Sequence, residues 1–254
     1  MSYDQFLRFL LVFTRMSGLV LFNPLLSRKS VPVIVKVGLA LLLAFVITPT
    51  LYALPLDFPT PISFMLSVGR EMLLGLALGL IMNVTLSWLL MAGEVMDMEM
   101  GLSVAKIYDP QSGISMPVSG NAFNILFTLI FFASDAHLTL IRIAADSLLI
   151  FPPGPHMICL DVGPHIADMM GQMLLLMLKL SMPVLAVELL SEAGLGVLMR
   201  IAPQINVFVV GLQLKLLIGL AVVVLAMPSV TRLMDATIVQ MFGYMRSGIA
   251  LMLQ

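Results

Sequence analysis

Cutting the chain at its charged residues leaves long apolar runs. Residues 37–56, 72–93 and 110–134 contain no Asp, Glu, Lys or Arg at all. Each reaches the roughly 20 residues that a helix needs to cross a bilayer. Four further runs are interrupted: 9–27 by Arg15, 138–152 by Arg142 and Asp146, 169–192 by Lys179 and Glu188, and 205–231 by Lys215. The pattern predicts an all-α integral membrane protein of about six long hydrophobic helices arranged as hairpins. The first run lacks the shape of a cleavable signal, because Asp4, Arg8 and Arg15 break it and no small-residue cleavage pattern follows. Arg28, Lys29 and Lys36 form the densest positive cluster, which by the positive-inside rule places that loop in the cytoplasm.

Composition sharpens this picture. Of 254 residues, 60% are apolar and 11% charged, and the mean hydropathy is +1.09, far from a soluble domain with about a quarter charged residues. The net charge of −1 supplies no basic field for nucleic acid. Cys159 is the only cysteine, so neither an internal disulfide nor a cysteine zinc cage can form within one chain. The three histidines, His137, His156 and His165, have no partner at helical zinc spacing, and no nucleophile elbow or phosphate loop is present. These features argue against an enzyme and against any metal or cofactor. Arg142 and Asp146, four residues apart, suggest a local ion pair.

Two stretches fit a plain bundle of lipid-facing helices badly. Lys179 and Lys215 lie near the middles of apolar runs, where a lipid-exposed charge costs roughly 2.5–3.5 kcal/mol. In a hairpin turning near Arg200 they would sit at similar depth and repel. Either both snorkel to the headgroups or these helices pack against other subunits. The second misfit is the run from Ala105 to Asn121, whose two prolines, two glycines and three serines exclude one continuous helix. Such backbone is either a surface loop or, at membrane depth, a segment that is buried in protein or lines a water-filled cavity. Glu94, Asp97 and Glu99 add three acids at an apolar helix end, which reads as a solvated terminus or a cation-attracting vestibule. Gly75 and Gly79 have the spacing that lets helix backbones approach closely. The 22 methionines supply soft, deformable apolar filling.

Many short motifs occur in one consistent order. They run from Phe13-Thr14-Arg15 through Asn23-Pro24-Leu25, Val31-Pro32, Lys36-Val37-Gly38-Leu39-Ala40 and Thr48-Pro49 to Glu71 with Gly75 and Gly79. Ala92-Gly93-Glu94, Met100-Gly101-Leu102-Ser103, Asp109-Pro110, Met116-Pro117, His137-Leu138 and Phe151-Pro152 follow, then Arg200-Ile201-Ala202-Pro203-Gln204-Ile205-Asn206-Val207-Phe208 with Gly211. In this order the chain resembles the FliR type of export-gate subunit of bacterial flagellar and virulence type III secretion systems. Where that family commonly has Asn-Gly-His-Leu, this chain has Asp135-Ala136-His137-Leu138.

The resemblance implies a subunit of the inner-membrane export gate, within the secretion-system basal body, that forms and plugs a path for unfolded polypeptides. It implies partners: P-type and Q-type gate subunits and the B-type switch protein. Residues 1–160 would be P-like and 161–254 a Q-like hairpin and tail. The loop of about 106–121 would be the pore plug, with Tyr108, Asp109, Pro110, Ile114, Met116 and Pro117 as its key residues. Gly75, Gly79, Lys179, Glu188, Arg200, Pro203, Gln204 and Lys215 would serve subunit packing or the cytoplasmic gate. A small-molecule secondary transporter or channel is the alternative, since it too has broken helices and mid-membrane charges.

Overall fold

The computed structural model describes residues 3–28, 30–51, 58, 60–103, 117–154, 163–202 and 207–251. Among them there is no strand. The helices are α1 (Tyr3–Phe22), α2 (Val33–Ile47), α3 (Pro61–Glu99), α4 (Val118–Ala133), α5 (Ala136–Ile150), α6 (Gly163–Ile201) and α7 (Val207–Leu251), with a 3-10 turn at Thr48–Leu51 after α2. Five helices are long and apolar enough to span a membrane, or six if the broken pair α4 and α5 counts as one span. The all-α membrane fold read from the sequence is therefore the one observed.

Charge-free runs underestimate the helices. The run 72–93 is the middle of the 39-residue α3, and α6 and α7 have 39 and 45 residues. The structure corrects two further expectations. Val118–Asn121, assigned to the irregular stretch, form the first turn of α4, because Pro117 needs no amide partner and its carbonyl accepts the Asn121 N–H at 2.9 Å. Arg142 and Asp146 are both exposed and form no ion pair with each other among the described residues.

Local chemistry sets the helix ends. Asn23 ends α1: its side-chain oxygen accepts the amides of Leu25 and Leu26 at 2.9 and 3.2 Å, while Pro24 cannot continue the helix. Gly101 closes α3 at φ 78°, a left-handed conformation that glycine takes without a side-chain clash. Asp135, between α4 and α5, is the one described non-glycine residue with positive φ, at 55°. Asn and Asp both tolerate that region better than other non-glycine residues, which suits Asp135 to the turn.

The described chain divides into two compact units. The first combines Met1–Thr85, Phe131–Met169 and Ile238–Gln254. In it α1 and α3 touch backbone to backbone. A Cβ added at Gly75 would fall on the Arg15 carbonyl oxygen, and one at Gly79 would come within 2.7 Å of Phe22 Cβ. From the other side, a Cβ at Gly18 would lie 2.9 Å from the Met72 carbonyl oxygen. Gly75 and Gly79 thus serve packing within the chain itself.

That close crossing brings a buried ion cluster together. Arg15 Nε donates to Glu71 Oε2 at 2.6 Å, and both side chains are essentially inaccessible. The same guanidinium donates to the Ser147 and Phe151 carbonyl oxygens at 2.7 and 2.9 Å, capping the C-terminal end of α5. Arg70 donates to Glu71 Oε1 at 2.8 Å and stacks over the Phe151 ring at 4.9 Å. Arg8 caps the 3-10 turn in the same manner, donating to the Leu51 carbonyl at 2.7 Å.

In the second unit, Leu86–Ile130 with Met170–Thr237, Trp88, Leu89, Met96, Phe123, Phe127 and Val184 form the core. Elsewhere large apolar surfaces are uncovered. In α2, Ala40, Leu43, Ala44 and Ile47 form one buried stripe, while Ile34, Phe45 and Val46 on the other sides are 85%, 75% and 62% exposed. A helix that is apolar all round needs lipid or further protein to cover it.

Two outcomes follow for stability, read as the thermal unfolding midpoint in detergent. Glu71→Ala leaves two buried guanidinium groups without their carboxylate, so it costs about 3–5 kcal/mol and more than Arg15→Met, which leaves Glu71 paired with Arg70. Gly75→Val forces α1 from α3 and lowers the midpoint sharply, whereas Gly69→Ala, with open space at its Cβ in a helix interior, does not lower it and raises it slightly.

Candidate functional site

The second unit holds most of the residues that the sequence singles out. Tyr108, Asp109, Pro110, Ile114 and Met116 lie outside the described residues, as do Pro203 and Gln204. What the structure supplies is the frame that holds the two ends of the 104–116 segment. On the entry side is the end of α3, where Met100 is buried and Gly101 takes a positive φ that breaks the helix. On the return side Pro117 is buried and α4 starts at Val118.

The acidic cluster is partitioned by this frame. Asp97 is fully buried, which excludes the solvated terminus for this residue. Its Oδ2 accepts the Val118 N–H at 2.5 Å, and its Oδ1 accepts the Ser119 N–H at 3.2 Å and the Ser119 hydroxyl. The carboxylate therefore satisfies the first amides of a helix that begins 21 residues later. Glu94 and Glu99 remain partly exposed. Nothing local in the sequence signals that the Asp97 partner is a distant helix end.

Backbones also meet at this point. A Cβ built on Gly93 would overlap the Gly120 amide nitrogen and Cα, and one on Gly120 would lie 3.1 Å from Leu90 Cα and its carbonyl oxygen and 2.8 Å from Pro117 Cγ. Two glycines let α3 and the first turn of α4 approach without side chains between them.

In the same unit, α6 runs to Ile201 and α7 begins at Val207, so the connection between them lies just beyond Arg200, which is exposed. Glu192 and Lys215 are nearly equidistant from that connection, and Lys215 Nζ donates to Glu192 Oε1 at 2.9 Å. The expected repulsion between Lys179 and Lys215 is thereby corrected: Lys179 is a further 13 residues from the turn than Glu192 and lies at a different level. Lys179 is exposed and makes no ion pair among the described residues. Glu188, one turn before Glu192, is fully buried, and neither carboxylate oxygen has a hydrogen-bond partner among the described residues. It packs against Gly219, where a Cβ would come within 2.8 Å of its Oε1 and overlap the Met100 side chain.

Sequence reasoning missed two features. Arg15 and Glu71 are separated by 56 residues, and the available signal was that each charge interrupts or borders an apolar run and needs a partner. The Asp97 cap had a weaker signal: Pro117 supplies no side-chain acceptor for the helix that follows it.

Comparison with known proteins identifies the family. Residues 6–241 match the family model described as bacterial export proteins, family 1. The chain is 33% identical over 214 residues to the flagellar biosynthetic protein FliR of Escherichia coli K12, covering 84% of this chain and 82% of that one. It is 32% identical to the FliR of Pectobacterium carotovorum (85% and 82% covered) and 31% identical to that of Bacillus subtilis 168 (88% and 87%). The match runs through α1, with its Arg15, to the last turns of α7, so the chain belongs to the bacterial export proteins, family 1.

Proposed function

We propose that this protein is the FliR-type subunit of a flagellar export gate, in which it helps to form and to plug the path that unfolded polypeptides take across the bacterial inner membrane. The observation that carries the reading is the match, over more than four-fifths of both chains, to proteins named for flagellar biosynthesis. It favours the export gate over a small-molecule transporter. The subunit performs no covalent chemistry; its work is to line, seal and open a conduit.

Three structural features support assembly with P-type and Q-type subunits and with the B-type switch protein. Helices α3, α6 and α7 extend about 58–68 Å at 1.5 Å per residue, twice the roughly 30 Å hydrocarbon core of a bilayer. Their ends must lie beyond the hydrocarbon, against other protein or in water. The apolar outer faces of α2 and α7 call for a cover, and Leu225 on α7 is 81% exposed. Lys179 is exposed and makes no ion pair among the described residues, as a residue at a contact between subunits would. Arg200 at the end of α6 and Lys215 within α7, with Pro203 and Gln204, belong to residues 161–254, which we assign to the Q-like part; residues 1–160 form the P-like part.

The segment of about 106–117 is the pore plug, closed by Tyr108, Ile114 and Met116, with Asp109, Pro110 and Pro117 shaping its path. A seal against ions that must still yield to polypeptide is best built from soft apolar side chains on non-helical backbone.

Co-expression with the P- and Q-type candidates of the same genome should give one large hetero-complex by native mass in mild detergent; a stable particle of this chain alone would favour the transporter. Removing residues 108–115, which leaves Pro117 and α4 intact, should leave that complex assembled and raise the ion conductance of the membrane. Unchanged conductance would remove the plug assignment.

A further inference from the structure

We propose that Asp97 is a positioning residue of the gate: its carboxylate clamps the start of α4 to the end of α3 and so fixes where the chain returns after residue 116. An ordinary helix start is capped by a Ser, Thr, Asn or Asp immediately before it. Here that position is Pro117, which has no side-chain acceptor, and the cap comes from another helix. Both oxygens of Asp97 are engaged, by the Val118 N–H, the Ser119 N–H and the Ser119 hydroxyl. The carboxylate is fully buried and forms no salt bridge among the described residues, so these donors and the positive end of α4 carry its whole charge.

One turn away, Gly93 and Gly120 hold the same two helices at backbone contact. The two restraints differ in kind. Glycine contact sets the distance between the helices, whereas the carboxylate, bound to two consecutive amides, sets the rotation and axial level of α4. Gly101 turns the chain out of α3 only four residues after Asp97. Departure and return are thus both fixed to the final turns of one helix. The functional consequence rests on the plug reading: a plug whose point of return is fixed should seal better than one whose return is free. Asp97 itself acts only through α4.

The test uses the full gate complex carrying Asp97→Ala, Asp97→Asn or Ser119→Ala. Hydrogen exchange of the Val118 and Ser119 amides reads the clamp directly, because amides in the first turn of a helix have no acceptor within it. Asp97→Ala should speed their exchange at least tenfold; Asp97→Asn, which keeps one acceptor oxygen, and Ser119→Ala, which keeps both amide bonds, should change it less. Conductance of membranes carrying assembled Asp97→Ala complex should rise toward that of the 108–115 deletion, with Asp97→Asn intermediate. Amides as protected in Asp97→Ala as in the parent protein overturn the clamp and leave the plug reading intact. Fast exchange with parental conductance, while the deletion leaks, overturns the positioning role. If the deletion itself does not leak, the plug reading falls and this consequence with it, and exchange still decides the clamp. Should Asp97→Ala fail to assemble, the same comparisons hold for Asp97→Asn, with Ser119→Ala as the milder reference.

Discussion

A charge on an apolar helix has to be neutralised by protein, because lipid offers neither a counter-ion nor a hydrogen bond, and the Arg15–Glu71 pair is where this chain meets that constraint most completely. The guanidinium uses its donors on Glu71, Ser147 and Phe151, and Glu71 receives a second guanidinium from Arg70. One cluster therefore ties α1, α3 and the end of α5 together. Its geometry requires α1 and α3 to approach more closely than side chains permit, which is why Gly18, Gly75 and Gly79 line the crossing. Charge and small residues are two halves of one device: the glycines give the approach, and the ion cluster fixes the register. A buried ion pair of this kind contributes little net stability over an apolar replacement, but breaking it by halves is costly, so it specifies one arrangement of the helices.

The second unit applies the same constraint differently at each charge. Asp97 is neutralised by helix amides, a solution available only at a helix start. Lys215 finds Glu192 across the α6–α7 hairpin at the level set by the turn. Glu188 and Lys179 find no partner within the described chain. Of these four charges only Lys179 is both exposed and without an ion pair among the described residues, and it lies on α6, whose apolar side chains such as Leu189 and Leu190 are left uncovered at 59% and 73% exposure. Charges with internal partners fix the subunit; an exposed charge without one, as at Lys179, calls for water or a partner outside it.

The helices were legible in the sequence because a bilayer imposes a length and a composition on them. Their true ends were not, because cutting at charges treats every charge as a boundary. Arg15, Lys179 and Lys215 all lie inside helices, and α3 continues through Glu94 and Asp97. Periodicity was little help, since helices covered on all sides have no polar stripe to locate. The close crossing at Gly75 and Gly79 was visible as a spacing, though its partner helix was not. The pairings Arg15–Glu71 and Asp97–Val118 are contacts at long sequence separation, and one sequence carries only half of such a contact: a charge that needs a partner. For Lys215, proximity in sequence to the turn suggested Lys179, whereas the level of the hairpin selects Glu192.

Helix length weighs on the same side as the family match between the two kinds of membrane protein that the sequence left open. A transporter that works alone in lipid matches its hydrophobic helices to the bilayer, with tilt absorbing a modest excess. Here α3, α6 and α7 are about twice the hydrocarbon thickness, and tilt alone cannot absorb a factor of two, since the axis would have to lie about 60° from the normal. The apolar surface nevertheless continues along them, with Met65 on the first turns of α3 at 74% exposure and Met98 near its end at 64%. Surface of this kind beyond the hydrocarbon has to be covered by protein. A subunit whose helices are too long for the membrane and too apolar for water is one built to be surrounded by others.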